Sequence, residues 1–286
     1  MGDMKRISVV VPNYNYAKYL DKRIDSIIRQ TYPIYELIIL DDGSTDGSRA
    51  VIEKKIVEIH QKYPTLNARF VKNEENTGKV MVQWKKGFEL ARGDYVWIAE
   101  ADDLSSRYFL EKIMRGFEEP GVVMAYCESM IIDGRGFMIL PNFRRSRDRE
   151  RTGHYKKTYV NEGEVEIQEI LAIRCTIPNV SAVVFKNNKK YLRYLDEAIS
   201  YNQAGDWYFY IRILENGKIF YERKALNRFR IHKHSKTSMS KKNETAYNEV
   251  CKMHRWILKN HQIPEDVKKK MEWEEKRLMG KYGGKK

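Results

Sequence analysis

Tyr95-Val-Trp-Ile-Ala-Glu100-Ala-Asp102-Asp103 is an apolar run that ends in three carboxylates within four residues. The run reads as a buried strand, and its acidic end is costly unless a cation or a set of donors lies against it. Helical stripes flank it on both sides, with Met81, Trp84, Phe88 and Ala91 before it and Phe109, Ile113 and Phe117 after it. A strand between two amphipathic helices is one unit of an alternating β/α chain. The competing reading of the acidic end is that Asp102 or Asp103 caps a helix starting near Ser105, a role Asp performs well.

The same alternation runs back to the start of the chain. Ile7 to Val11 is a β-branched strand, and Leu20, Ile24, Ile27 and Ile28 then share a helical face. Leu37 to Leu40 is a second strand, followed by a helix carrying Ile52, Ile56 and Ile59, and Arg69 to Val71 is a weaker third strand. This pattern predicts an α/β fold with a mainly parallel central sheet and helices on both faces. Ligands of such sheets bind outside the carboxyl ends of the strands. Three of those ends are polar: Pro12-Asn13-Tyr14-Asn15, Asp41-Asp42-Gly43-Ser44-Thr45-Asp46-Gly47, and Glu100 to Asp103. All three are expected on one edge.

After Val122 to Ile132 the regular alternation stops. A Gly134-Arg135-Gly136 turn leads into a basic loop, and helix signals return over Val165 to Ala172. Val180 to Phe185 reads as a strand, a helix starts at Asp206 with Trp207, Tyr210, Ile211 and Leu214 on one face, and Ile219 to Tyr221 reads as another strand. From Asn243 to Met279 the chain reads as two charged amphipathic helices broken near Pro264.

With 286 residues, 42% of them hydrophobic and 32% charged, the chain is globular and long enough for one large domain or two small ones. No apolar stretch approaches the about 18 residues of a spanning helix, and Met1 to Arg6 carries no signal-peptide pattern. The expectation is therefore a cytoplasmic protein. Cys127, Cys175 and Cys251 form no metal-ligand spacing and are expected to be reduced.

The formal charge of +14 attracts polyanions, phosphorylated ligands or an anionic membrane. Asn142 to Lys157 holds Arg144, Arg145, Arg147, Arg149, Arg151, Lys156 and Lys157 against Asp148 and Glu150. Beyond Ser240 thirteen basic residues face seven acidic ones. Such runs are usually solvated faces, and they also suit peripheral contact with anionic lipid at the inner face of a membrane. No nucleic-acid-binding motif appears, acidic sheet-edge clusters repel phosphate unless a metal intervenes, and no nucleic acid partner is expected. No GxGxxG follows the first strand, which disfavours a dinucleotide-dependent dehydrogenase.

Five segments in order, Ser8-Val-Val-Val-Pro-Asn-Tyr-Asn15, Glu36 to Ser48, Asn76-Thr-Gly78-Lys79, Glu100-Ala-Asp-Asp103 and Ala204-Gly205-Asp206-Trp207, resemble family 2 inverting glycosyltransferases. The resemblance covers about residues 5 to 240 and implies the GT-A fold, with residues 1–103 as the nucleotide-binding half, 104–240 as the acceptor-side half, and 241–286 as a basic helical extension outside it. It implies a nucleotide-sugar donor, with a UDP-sugar the expected one, and a glycan or lipid-linked hydroxyl acceptor. The base would sit between Pro12, Asn13 and Tyr14 on one side and Asp42 on the other, with Asp42 accepting from the uracil imide.

Gly78 and Lys79 would meet the nucleotide or its phosphates, although Lys79 also reads as an exposed first-turn lysine. Asp102 would meet the ribose or the metal. A divalent Mn2+ or Mg2+ would be held by Asp102 or Asp103, with His232 as an added ligand, because hard cations on carboxylates offset diphosphate charge. Arg230 or Lys236 would touch phosphate. Asp206 would be the catalytic base, with helix capping as its alternative. Glu100 stands where the family usually has Asp. A catalytically silent nucleotide-binding relative and a basic polyanion-binding protein are the competing classes.

Overall fold

The computed structural model describes residues 4–148, 153–233 and 244–282. The first half alternates as its periodicity predicts: β1 (Ile7–Asn13), α1 (Ala17–Ile28), β2 (Glu36–Asp42), α2 (Ser48–Lys62), β3 (Asn67–Asn73), α3 (Val80–Leu90) and β4 (Tyr95–Ile98). These strands are parallel, in spatial order β3-β2-β1-β4. The period-2 pleat sorts β1 between two apolar layers. Val9 and Val11 face the layer built with α1 and α2, whereas Val10 faces the layer built with α3.

The second half departs from simple alternation. A two-residue β5 (Leu104–Ser105) precedes α4 (Phe109–Met114), so that helix starts later than Ser105, and its N-cap Tyr108 makes no side-chain cap bond. Asp102 and Asp103 therefore do not cap it. Then come β6 (Val122–Ile132), β7 (Met138–Leu140), the one-turn α5 (Arg144–Arg147), β8 (Tyr159–Glu162), the one-turn α6 (Gly163–Glu166) and β9 (Val183–Lys186). They are followed by α7 (Tyr191–Ala198), α8 (Gly205–Leu214) and β10 (Lys218–Arg230).

The sheet continues β4-β9-β6-β10-β5, with β9 antiparallel to both of its neighbours and β10 parallel to β6. Two reversals restore the original direction, so β6 and β10 end on the same edge as β1, β2 and β4. The Ile219 to Tyr221 run is only the start of β10, a 13-residue strand that carries Arg230 to that edge.

The C-terminal helices α9 (Glu244–Asn260) and α10 (Glu265–Tyr282) break at Pro264 as expected. Their Met253, Ile257, Ile263, Val267 and Met271 are buried in the same apolar cluster as Trp84 of α3 and Phe209 of α8. The basic residues of the tail thus ride on helices whose inner faces complete the core. Among the described residues, no helix is long and apolar enough to cross a membrane. All three cysteines are free thiols.

Candidate active site

The strand order runs from β1 outward in both directions, to β2 and β3 on one side and to β4 on the other, so the crevice between β1 and β4 is a topological switch point. Pairing of β1 with β4 ends at Val10↔Ile98, with Ala99 N–H still donating to Val10 O at 2.8 Å. Groups two residues apart along a strand point to the same side, so Pro12 lies where β4 has already diverged and its missing N–H leaves no gap in the ladder. The two chain segments separate there, and the polar ends face the opening.

The β1 and β2 ends are latched together. Asn13 Nδ2 donates to Asp41 Oδ1 at 2.9 Å and to Ser44 Oγ at 3.1 Å, while Asn15 Oδ1 accepts from Thr45 N at 2.8 Å and Asp46 N at 3.2 Å. Asn15 holds a left-handed φ of 58°, which Asn tolerates better than most residues. Tyr14, between these latches, keeps its ring exposed. Burial disfavours the Asp41 charge, but bonds from Ser44, Arg49 and Asn13 outweigh it and hold that carboxyl below the usual range.

Asp42 is already densely bonded. Its Oδ1 accepts from Asn73 Nδ2 at 2.8 Å, Thr77 N at 3.1 Å and Gln83 Nε2 at 2.8 Å, and its Oδ2 from Thr77 Oγ1 at 2.8 Å. Three of these donors crowd Oδ1 and one meets Oδ2, so Oδ2 is the oxygen with room for a further donor. Asp42 thereby organises the loop after β3, where Gly78 takes a left-handed φ of 71°. Lys79 turns away from this loop, with Nζ on Ile199 O at 3.0 Å beyond the end of α7.

The carboxylate cluster has internal compensation that the strand pattern did not reveal. Arg23 lies fully buried on the apolar face of α1, donating Nη1 to Ser105 Oγ at 2.8 Å and standing 5.1 Å over the Trp97 ring. Burial pulls its pKa down to about 10, against the pull of Asp103, Asp102 and Glu100, which favour its charge. The visible signal was an arginine among Leu20, Ile24 and Ile27.

Arg230 supplies the second cation. Its backbone N–H donates to Asp103 Oδ1 at 2.9 Å, Nε to Asp102 O at 2.6 Å and Nη1 to Asp133 O at 2.8 Å. These bonds seat Arg230 in the frame of the cluster, and Lys236 lies outside the described residues.

Within this frame the three carboxylates diverge. Glu100 Oε1 accepts from Trp84 Nε1 at 3.0 Å. Asp103 accepts Asn179 Nδ2 at 2.8 Å as well as Arg230 N, and burial followed by the neighbouring Asp102 pushes its pKa up. Asp102 Oδ2 meets His232 Nε2 at 3.0 Å, and His232 is seated among the Tyr16 and Tyr19 rings.

The structure thus assembles Asp102 with His232 but turns Asp103 into the interior. Among the described residues, no group of three or more His, Cys, Asp or Glu side chains is arranged to hold a metal. A hard cation held by one or two carboxylates and completed by diphosphate oxygens is nevertheless normal for Mg2+ and its relatives. The Asp102 carboxylate fits that donor set, while the His232 imidazole is a softer nitrogen donor that suits a transition-metal ion better than Mg2+.

Asp206 occupies the first turn of α8, not its N-cap, and its Oδ1 accepts Trp207 N at 2.7 Å. Burial raises its pKa to about 6, two backbone bonds oppose this, and Glu249 adds to the rise. Glu249 was not singled out by sequence. From α9 it accepts Asn202 N at 2.6 Å, Gln203 N at 2.7 Å and Ala204 N at 2.9 Å, satisfying the backbone donors of the loop that enters α8. Tyr210, one turn beyond Asp206, has a buried hydroxyl without a hydrogen-bond partner among the described residues, and its pKa is raised by burial and then by Asp206, Cys175 and Glu100. Trp84 joins the two acidic regions, donating to Glu100 and meeting Phe209 of α8 at 6.3 Å.

The basic loop is only partly a surface. Arg147 is buried, ion-paired with Glu128 and 4.3 Å over the Tyr155 ring, so it is not offered to an acceptor. Arg149 and Arg151 lie outside the described residues. His254 is likewise structural, bonded to Ile173 O at 3.1 Å and Glu275 at 2.9 Å.

The sequence pattern described as Glycosyl transferase family 2 matches residues 8–168, more than half of the chain. An uncharacterized glycosyltransferase of a Nostoc species is 36% identical over 129 residues, 45% of this chain and 38% of that protein. Glycosyltransferase GlyG of Streptococcus pneumoniae is 34% identical over 113 residues, 40% of this chain and 35% of its own length. The poly(ribitol-phosphate) β-N-acetylglucosaminyltransferase TarP of Staphylococcus aureus is 32% identical over 112 residues, 38% and 32% of the two chains.

The match therefore spans well under half the length of these relatives. Among solved structures, S. aureus TarS 1–349 in complex with UDP-GlcNAc superposes with a TM-score of 0.67 at 19% identity, covering 97% of this chain and 73% of that one. The mannosyltransferase PcManGT of Pyrobaculum calidifontis, in complex with GDP-Man and Mn2+, gives 0.65 at 18%, covering 97% and 70%. At these identities the likeness shows a shared GT-A-type fold.

Proposed function

We propose, for a chain that belongs to glycosyl transferase family 2, that it moves a sugar from a UDP-sugar to a hydroxyl of a glycan or lipid-linked acceptor in cell-envelope polysaccharide synthesis, with inversion. The observation that carries this reading is the Asp102–His232 pair at the β1/β4 switch point, with the raised-pKa carboxylate of Asp206 on the facing helix. The UDP-GlcNAc bound to TarS and the acceptor in the name of TarP support the donor and the acceptor class.

Asp206 takes the proton of the acceptor hydroxyl as that oxygen attacks the anomeric carbon, the bond from that carbon to the diphosphate oxygen breaks, and its electron pair leaves with the nucleoside diphosphate. A pKa near 6 suits a base that must be ionised at neutral pH yet still draw a proton. Asp102 and His232 would hold a Mn2+ or Mg2+ ion, which supplies positive charge against the departing diphosphate.

The exposed Tyr14 ring covers the base, and Oδ2, the less heavily bonded oxygen of Asp42, accepts its imide N–H. The formal charge of +14 favours an anionic surface, so contact with an anionic membrane belongs to the same reading. Calorimetric titration with UDP, with and without Mn2+, tests the donor half. Binding that the metal does not strengthen overturns it, and tighter binding of GDP than of UDP overturns the base assignment.

A further inference from the structure

We infer that the β6–β7 hairpin is a membrane-docking element that inserts its apolar strand into an anionic lipid surface. Phe137, Met138, Ile139 and Leu140 are 69%, 60%, 53% and 49% exposed. Successive strand residues point to opposite faces, so four exposed in a row means that neither face of this ribbon is covered. β7 has β6 as its one strand partner among the described residues, and no charge interrupts its sequence. An uncovered apolar edge of this kind is an aggregation hazard unless something seats on it.

The hairpin is built rather than frayed. Asp133 Oδ1 accepts from Arg135 N, Gly136 N and Phe137 N at 2.8, 2.8 and 2.9 Å, and Asp133 N donates to Phe137 O at 2.8 Å.

Charge selects the occupant. Exposed Arg135 stands at the turn, and at the other end Arg144, whose Nε also pairs with Glu128 Oε2 at 3.7 Å, donates to Arg223 O at 2.9 Å while Arg223 donates to Lys156 O at 3.3 Å, which brings the cations of Arg223 and Lys156 beside it. A second copy would set these cations, and a formal charge of +14, against their own likeness. A polynucleotide would leave the four apolar side chains without a partner. An anionic bilayer satisfies both, taking apolar side chains below its headgroups and cations at its surface.

The orientation has a consequence for the site. Arg230 ties Asp133 O to Asp102 O, and a side chain at Gly134 would lie 3.6 Å from His232 Cβ. The strand is only about 10 Å long, so docking brings the Asp102–His232 pair close to the headgroup plane.

The proposal stands apart from sugar transfer, because lipid binding is read without substrate. The experiment is flotation of the full chain with vesicles of phosphatidylcholine alone and of phosphatidylcholine with about one-third phosphatidylglycerol. The wild type is expected to bind the anionic vesicles about tenfold or more tightly than the neutral ones. The double variant Phe137→Ser/Ile139→Ser is expected to lose about tenfold or more on the anionic vesicles, and Arg135→Glu to weaken binding there alone.

As a check that does not depend on a disruptive variant, Phe137→Trp should add fluorescence that brominated acyl chains quench. Absence of wild-type binding, undiminished binding of the double variant, or no quenching overturns the proposal. So does a wild-type dimer that the double variant dissolves without any lipid binding.

Discussion

The two acidic regions of the cleft are surrounded differently. Glu100 to Asp103 ends a central strand and has Arg23 behind it and Arg230 beside it, with each carboxylate bonded to a named partner. Asp206 is held by backbone N–H groups and acted on by burial and by Glu249, none of which is a cation. A cluster with built-in cations is a platform for charge, whereas a half-buried carboxylate with another anion near it is poised to take up a proton. On the proposed reading, this electrostatic contrast marks Glu100 to Asp103 as the leaving-group edge and Asp206 as the acceptor edge.

The largest expected effect is on the acceptor edge. Asp206→Asn should lower transfer by about a thousandfold while UDP affinity measured by calorimetry stays within about twofold of wild type. Transfer that survives would remove the distinction between the two regions.

On the other edge, Arg23→Met leaves buried carboxylates without their cation and should cost about 3–5 kcal/mol of unfolding free energy in a denaturant titration. A loss below about 1 kcal/mol would mean that Arg230 and solvent suffice to hold the cluster.

A smaller effect sharpens the role of the C-terminal helices. Glu249→Gln should slow transfer by about tenfold, through a loosened 202–204 loop, and should also move the acid limb of kcat/KM below its wild-type midpoint near pH 6, because an anion near Asp206 is gone. A slowed rate with an unmoved limb would reduce Glu249 to a structural role.

The smallest effect is on stability. The Asp206 carboxyl has a folded pKa of about 6 against an ordinary 3.8, so its cost to the fold is absent below about pH 4, grows up to pH 6 and is complete above it. The full shift corresponds to about 3 kcal/mol, and because Asp206 is only half-buried solvent screening reduces it, so Asp206→Asn should stabilise the protein by about 1–2 kcal/mol at pH 8 and by nothing at pH 4. Equal stability at both pH values would show that Asp206 carries no strain.

Much of the leaving-group edge was legible because it is local. β1, β2 and β4 announce themselves by apolar runs, and their polar ends follow directly in sequence, so a parallel sheet places Pro12, Asp42 and Asp102 on one edge. The second half was less legible. The antiparallel β9, the length of β10 and the α7 helix depend on which neighbours cover them, and the basic loop concealed Arg147, whose burial comes from Tyr155 within the loop and from Glu128, Tyr126 and Tyr221 outside it.

Asp42 illustrates the boundary between the two kinds of information. Its place at a strand end followed from periodicity, but its four donors come from residues 73 to 83 and appear only when the loops are folded together.

By itself the sequence determined the alternation of strand and helix, the sheet edge on which the acidic and polar motifs gather, the likeness to its family, and the candidates at Asp102, His232 and Asp206. Only the tertiary structure decided that Asp103 faces inward, that Arg23 and Arg230 balance the cluster, that Glu249 from the last helices holds the approach to Asp206, and that the apolar hairpin stands uncovered beside them. The physical reason is range. Side-chain periodicity reports which face of an element is buried, whereas hydrogen bonds and ion pairs are made with whatever the fold brings within about 3 Å, at any separation along the chain.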